Sequence, residues 1–543
     1  MYRRIWFSII LLLAGFIIGA ITQHHIVNGN GEADRNPPNN YGVSATHPLA
    51  VEVGMEVLKN GGNAADAAVA VSYTLSVVEP YGSGIGGGGQ MLLLPAGKTE
   101  PVVYDYRETA PSSKKRGYKV TGVPGFVKGM ETIHQDHGSE PFEKLITPAI
   151  EIAEEGFEVD QMFAERLAAS SYRLPVDDLP QFFSTNGDAI QPGNILKQPE
   201  LANTLTKIKE KGSSAFYEGE LAESLTEAVP YLDEEDLEEY EVEITEPVKG
   251  ELSEGMIYSA SPPLAGLPFV QSLKLAEELN IEETKDNEDQ FVHLMTEISR
   301  VTNNDRVKEV GDPAFNDIDV NELVSDEHIE ELADRISPSK VSNNEVDDGE
   351  DVNDDHTDTT HFVIVDQDGM MVSATNTLSN FFGTGKYTDG YFINNSIQHF
   401  SSKSKSPNSY EPGKRSRSFT APSIFMNEDR IIGIGSPGGK RIPSIMSEVL
   451  TRHFHLDQSL EEAVKATRFY GEDDYLFVEE SFSENVREQM QERGYKVETK
   501  HQPIYFGGIQ ALEVNNETGT IYGIGDERRN GTWDAKKKDK SNE

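Results

Sequence analysis

The sequence predicts a mixed fold, α/β or α+β. Three observations carry that expectation. Residues 361–377 carry a hairpin pattern, long apolar strand-like runs recur in both halves, and stretches with helical spacing lie between them. The chain has 543 residues, enough for one large or several ordinary domains.

In chain order, Met1 to Arg4 carries two arginines and Ile5 to Ile21 is an apolar run. This is the pattern of a signal peptide or an uncleaved signal anchor, with any cleavage near Ala20. Arginines ahead of the run place the downstream chain outside the cytoplasm, at the cell surface or beyond it. Membrane contact is expected only through residues 5–21. Ala50 to Asn60 has helical spacing and stops at Gly61-Gly62, and Ala64 to Val78 is a second, Ala-rich helix. GSGIGGGG (Gly82 to Gly89) reads as a tight turn into the strand Met91 to Leu94, with backbones packed closely. It lacks the Lys-Ser/Thr of a P-loop, which excludes nucleotide binding. Pro101 to Tyr106 is a strand that delivers Arg107. Residues 125–230 read as mainly helical, broken at Pro141, Pro175 and Pro192, and Asp233 to Glu254 as an acidic, solvated face. Asp326 to Ile336 is the last helical stretch before Asn343 to Asp358, which has no core-forming residues. Beyond the hairpin come a short strand (Tyr391 to Asn395), a polar loop (Ser401 to Arg415) and a strand (Ile431 to Gly435). A helix (Ser459 to Thr467) and a strand (Tyr475 to Glu479) come next. Gly507 to Val514 with Thr518 to Tyr522 form a closing pair, and Lys536 to Glu543 a charged tail without structure.

The formal net charge is −44, which argues against nucleic acid as a partner. It suits a saline or alkaline exterior. An anionic ligand would need a local basic site and screening, which acts over ~8 Å at physiological ionic strength. The absence of Cys excludes disulfides and thiol catalysis. His24-His25 and His399 are isolated from plausible co-ligands, so neither a metal nor a cofactor is expected.

The hairpin begins with Thr359-Thr360 directly after the acidic stretch. A Thr hydroxyl is a weak nucleophile until a base takes its proton. If the peptide bond before Thr359 is cut, the new α-amine can be that base, since its reference pKa is ~7.7–8.0. Taken alone, the same pattern also describes an ordinary hairpin after a linker.

The wider pattern is more specific. TTHFVIVDQDG (Thr359 to Gly369), Thr377, FGTG (Phe382 to Gly385), Asn394-Asn395 and GSPGGKRI (Gly435 to Ile442) come after NAADAAVA (Asn63 to Ala70), GSGIGGGG, YRETAP (Tyr106 to Pro111) and SPPLAGLPF (Ser261 to Phe269). This ordered set resembles the γ-glutamyltransferase family of N-terminal nucleophile enzymes over roughly residues 41–530. The resemblance implies a four-layer αββα sandwich. It implies a self-cut precursor whose large subunit (31–358) and small catalytic subunit (359–543) form a heterodimer, with 343–358 as the processing loop. It makes Thr359 the nucleophile of self-cleavage and turnover, Asp358 the new C-terminus and Thr377 its hydrogen-bonding partner. Gly438 and Gly439 supply the oxyanion hole, where one donor is worth ~2.7–4 kcal/mol. Arg107 grips the glutamyl α-carboxylate, and Ser379, Asn380, Ser418, Arg441 and Arg528 complete the substrate side.

The sequence departs from the family where a free α-ammonium would bind. The family commonly has Asn two residues after the second Thr, where this chain has Ser379. It has Gln or Glu, then Asp, after the paired asparagines, where this chain has Ser396 and His399. It has a Ser pair where this chain has Ser418-Phe419. Arginines are plentiful instead, with Arg415, Arg417 and Arg529 beside matched segments, and the segment that forms a lid in many members is short. An internal unit of poly-γ-glutamate has no free α-ammonium but carries an α-carboxylate. The chain therefore looks like the capsule-depolymerase branch of the family, passing the acyl group to water or an amine. Three alternatives stand beside it: a conventional γ-glutamyltransferase acting on small amides such as glutathione, a β-lactam side-chain acylase, and a non-catalytic surface binder of anionic polymer.

Overall fold

A computed structural model describes residues 37–112, 120–342 and 357–537. The expected export segment lies outside them, as do 343–356 of the acidic stretch and 538–543 of the tail. Among the described residues no helix is long and apolar enough to cross a membrane.

Two sheets form the centre. In chain order their strands are β1 (Asn40–Ala45), β2 (Gly88–Leu94), β3 (Val102–Asp105), β4 (Glu243–Thr245), β5 (Val248–Leu252) and β6 (Gly255–Ser259). The second half of the chain adds β7 (Thr357–Val365), β8 (Met371–Asn380), β9 (Ser423–Met426), β10 (Arg430–Gly435), β11 (Gln510–Asn515), β12 (Ile521–Gly525) and β13 (Thr532–Lys537). The seven-stranded sheet runs β13-β1-β7-β8-β2-β3-β4 and the six-stranded sheet β12-β11-β10-β9-β6-β5. Neighbouring strands are antiparallel throughout both. That settles the class as α+β.

The pleat of β7 explains the layering. Successive strand residues point to opposite faces. Phe362 and Ile364 enter the core beneath helices α1 (Pro48–Lys59) and α2 (Ala64–Val78). Val363 and Val365 point the other way and meet Ile424, Ile431 and Leu512 of the second sheet. On its far side that sheet packs Ile432 and Ile434 under α3 (Gly266–Glu278) and α5 (Ile442–His455). A further helix, α4 (Glu288–Glu309), lies outside α3. The result is the expected αββα sandwich, buried on both faces of both sheets.

Local chemistry fixes the hairpin's place. Helix α2 starts with a reciprocal cap: Asn63 Oδ1 accepts from the Asp66 amide at 3.0 Å, and Asp66 Oδ2 from the Asn63 amide at 2.9 Å. Asp366, at the hairpin turn, accepts from the Ala64 amide at 2.9 Å and from the Met370 amide at 3.0 Å. One carboxylate thus ties the β7–β8 turn to the positive end of α2. A Cβ on Gly89 would lie 2.4 Å from Asn376 Oδ1, so the glycine run lets β2 press against β8.

The structure corrects several expectations. The pair at 507–522 does not close the chain. Thr532–Lys537, whose last two residues were expected to open the unstructured tail, is β13, paired with β1 across to the other end of the sequence. TWDAKK shows no apolar alternation because it is a half-exposed edge strand held by backbone pairing. The strand at 391–395 shrinks to Tyr391–Phe392, and 171–198 holds two short helical turns and a two-residue strand, Ile195–Leu196, in place of longer helices. Asp233 to Glu254 is not merely solvated: its residues form a short capped helix and β4 to β5. The Ser401–Arg415 loop is pinned. Asn408 is fully buried, donating to the His399 carbonyl at 2.6 Å and accepting from the Arg417 amide at 2.9 Å.

Candidate active site

Thr359 and Thr377 lie on the two central strands, both nearly buried. The β7–β8 register is regular up to Asn376 and shifts before Ser379, a β-bulge. Ser379 has φ 80°, a left-handed conformation that costs a non-glycine residue on the order of 1 kcal/mol. This bulge aims the end of β8 into a pocket. The Ser379 amide donates to Thr377 Oγ1 at 2.8 Å, so the Thr377 hydroxyl hydrogen points elsewhere.

The pocket is lined by Thr359, Thr377, Ser379, Arg107, Ser418 and Gly439, together with Glu108, Ser396, His399, Ser416, Arg417, Phe419, Thr420 and Ile442. Six residues singled out in the sequence therefore meet in one place, although five separate segments supply them. Gly438 and Gly439 have φ of 141° and 58°, values that favour glycine, and Gly439 opens the helical turn leading into α5. The paired asparagines hold the walls. Asn394 bonds Gly86 and Gly122, and Asn395 Oδ1 accepts from the Asn380 amide at 2.9 Å.

Arg107 is oriented before any ligand arrives. Its Nε and Nη2 donate to Asp105 at 3.0 and 2.7 Å, and Nη1 to the Ser416 carbonyl at 2.8 Å. A guanidinium has five N–H donors, so one hydrogen on each terminal nitrogen is left over, the fork a carboxylate fits. Burial works to raise the Asp105 carboxyl, but Arg107 and Arg415 outweigh it and hold it below the ordinary range.

His399 occupies the place where the sequence lacks the expected carboxylate, and its Nε2 lies 2.6 Å from Ser379 Oγ. Burial, then the charges of Arg306 and Arg107, push the imidazole down to about 4, so it is neutral near neutral pH. Glu108 is the residue sequence reasoning missed. It comes directly after Arg107, and among the described lining residues it is the one carboxyl. Its Oε1 is buried without a hydrogen-bond partner, and burial raises the group to about 7.

That shift has a sign. The folded chain holds the Glu108 proton more tightly than the unfolded chain does. Stability therefore falls as pH rises from 4.5 to about 7, and the cost stays in full above that window. Glu108→Gln removes it. The variant is expected to gain ~3 kcal/mol over the parent at about pH 8 relative to about pH 4. Calorimetric melting of both proteins across this range checks it; parallel profiles would show that the carboxyl does not titrate there.

Four of the expected catalytic and substrate residues, Asn380, Gly438, Arg441 and Arg528, are not among those lining the pocket. Asn380 supports the wall through its backbone. Arg441 is buried beside the glycine turn, its guanidinium 4.2 Å from the Tyr505 ring centroid. Arg528 lines a different cavity with Glu461 and Lys465, and its guanidinium is taken up by Glu479 at 2.6 Å and by Asp526. Among the described residues no group of acids and histidines could hold a metal.

An αββα sandwich whose two central strands carry threonines into a pocket with a glycine turn and an oriented arginine defines an enzyme of the N-terminal nucleophile hydrolase type. Comparisons agree on the architecture: cephalosporin acylase from Bacillus halodurans superposes with a TM-score of 0.83 at 24% identity, covering 94% of this chain and 98% of that one. The chain belongs to the γ-glutamyltranspeptidase family, whose model matches residues 50–535. It is 45% identical to the capsule biosynthesis protein CapD proenzyme of Bacillus anthracis over 92% of this chain and 91% of the relative. It is 32% identical to the glutathione hydrolase proenzyme of Bacillus subtilis over 90% of each. The family carries γ-glutamyl transfer and hydrolysis, and its proenzyme relatives are matched along nearly their whole length.

Proposed function

We propose that this γ-glutamyl transferase-hydrolase acts on poly-γ-glutamate, with Thr359 as its nucleophile. Self-cleavage between Asp358 and Thr359 gives a large fragment ending at 358 and a small one beginning at 359, which stay together as a heterodimer. Thr359 Oγ attacks the γ-carbonyl and passes its proton to its own α-amine. The oxyanion is met by the amides of Gly438 and Gly439, and Arg107 holds the donor's α-carboxylate. The resulting ammonium returns the proton to the leaving amine as the amide C–N bond breaks. Water or an amine then attacks the Thr359 ester. Residues 5–21 carry the protein outside the cytoplasm, as a cleaved signal or an anchor.

The observation that supports the polymer is the Ser379–His399 pair. A neutral imidazole and a hydroxyl can meet the single N–H of an acylated α-nitrogen, but neither supplies the negative charge a free ammonium needs. One observation favours a second reading. Glu108 is a carboxyl in the same pocket, ionised above about 7, and could receive a free ammonium, which suits small γ-glutamyl amides.

A paired assay separates the two. Self-cleaved protein lacking residues 1–30 is given a γ-glutamyl anilide with a free α-amine, and separately poly-γ-glutamate tracked by size. Shortening of the polymer with poor anilide release is expected. Fast anilide turnover with the polymer intact would establish the small-amide enzyme instead.

A further inference from the structure

A fully buried imidazole lies two residues behind the proposed nucleophile and takes no part in the proton transfers. Strand alternation puts His361 and Thr359 on the same face of β7, the one that meets the second sheet. Val363, Val365, Ile424, Ile431 and Leu512 make much of that interface apolar. A polar ring there costs free energy unless it is hydrogen-bonded. His361 Nδ1 lies 2.8 Å from Oγ1 of Thr375, its cross-strand partner in β8, and its Nε2 lies 3.5 Å from Ser373 Oγ. Ser373 in turn donates to the Ile434 carbonyl of β10 at 3.0 Å and accepts from the Ser423 amide of β9 at 3.2 Å. The one Ser373 proton is thereby committed. The network then assigns the ring proton to Nε2, and Nδ1 accepts from the Thr375 hydroxyl. Burial holds the imidazole neutral, down to about 3, so it is no base for Thr359.

The ring's other contact is steric. It rests on Gly435, the last residue of β10, where a Cβ would come within 2.1 Å of its Cε1. Two residues earlier, a Cβ on Gly433 would come within 2.5 Å of Val363 Cγ1. The strands therefore meet as 363 on 433 and 361 on 435. The next step, roughly 7 Å along, brings Thr359 to Pro437, beside the glycine turn. β7 also touches the helical turn Gly439–Arg441, and Thr359 and Gly439 line the same pocket. His361 on Gly435 is thus the contact between the sheets one step from the reacting groups. We propose that His361 is a positioning residue: its imidazole, locked by Thr375 and seated on Gly435, sets the gap between Thr359 and the amides of Gly438 and Gly439. This rests on the Thr359 mechanism proposed above and deepens it, and it holds whether the donor is polymer or a small amide.

The test uses self-cleaved protein and whichever donor the parent turns over, the γ-glutamyl anilide or poly-γ-glutamate. His361→Val removes the ring but suits a strand. Thr375→Val removes only the hydroxyl that locks the ring, and carries the test if the first variant does not fold. Each should lower kcat at least about tenfold with KM within about twofold, since a 1 Å misplacement of reacting groups can cost about 10²-fold in rate. Val363→Ala, one contact further from the turn, is the control. It should lower the melting temperature and leave kcat near the parent's, as loss of packing alone does. Parental kcat in both valine variants overturns the proposal. So does a loss confined to KM, or one that Val363→Ala reproduces. Thr359→Ala, assayed as the uncut chain, tests the underlying mechanism separately. If it still turns over the donor, the nucleophile is another group and the inference falls with that reading. If it is inactive while both valine variants match the parent, the inference alone fails.

Discussion

Thr359→Ala protein is expected to remain a single chain of 60.1 kDa on a denaturing gel, while the parent separates into two fragments. The same substitution should lower kcat by at least about 10⁴-fold on any γ-glutamyl donor, the scale on which loss of a nucleophile acts. Both effects trace to one atom. On the proposed mechanism the Thr359 hydroxyl attacks its own preceding carbonyl once, and afterwards the donor's. Thr359→Ser keeps that oxygen and loses only a methyl group in a nearly buried position, so it should still cut itself and retain measurable turnover. Gel analysis after long incubation and aniline release read the two effects separately. A parent chain that stays uncut yet turns over the donor would remove Thr359 from both roles.

His399→Asp carries the second large effect. Burial first, and then the charges of Arg306 and Arg107, hold the imidazole neutral, and the same two charges would favour an ionised carboxylate at that position. Ser379 Oγ remains as its neighbour. A hydrogen bond to a charged group contributes about 1.5–3 kcal/mol, so the preference for a free-amine anilide over polymer should rise roughly 10- to 100-fold. The ratio of kcat/KM for the two donors measures this. A ratio that stays put, with both rates falling together, would mean that His399 does not touch the α-nitrogen side.

How much of this was legible in the chain depends on whether a local rule governed it. The hairpin and α2 were readable because apolar, β-branched runs around a Gln-Asp-Gly turn and an Ala-rich stretch are local signals, and Ala64–Val78 is a helix from end to end. The strand β13 was not, since its partner lies about five hundred residues away and its own side chains are mostly polar. The site divides in the same way. Thr359, Thr377 and Arg107 came from motifs and meet in the pocket. Arg528 adjoins the matched segments too, but nearness in sequence does not fix where a guanidinium points, and Glu479 draws it elsewhere. Glu108 had a signal that went unused. Strand alternation would send it away from Arg107, yet β3 ends at Asp105, so the rule no longer applies and both side chains reach the same cavity.

The strand order has a mechanical consequence. In the seven-stranded sheet β1 lies between β13 and β7. If the chain is cut before Thr359, β1 belongs to one fragment and both of its neighbours to the other, while β8 grips β2 from the opposite side. In the second sheet β9 and β6 make the same exchange. Each fragment is thus threaded into the other's hydrogen-bond ladders, and neither could leave without stripping strands from a core buried on both faces. The peptide bond at 358–359 bears none of that load. The molecule can surrender it and lose nothing in cohesion, because the weave, and not the backbone's continuity, keeps the halves together.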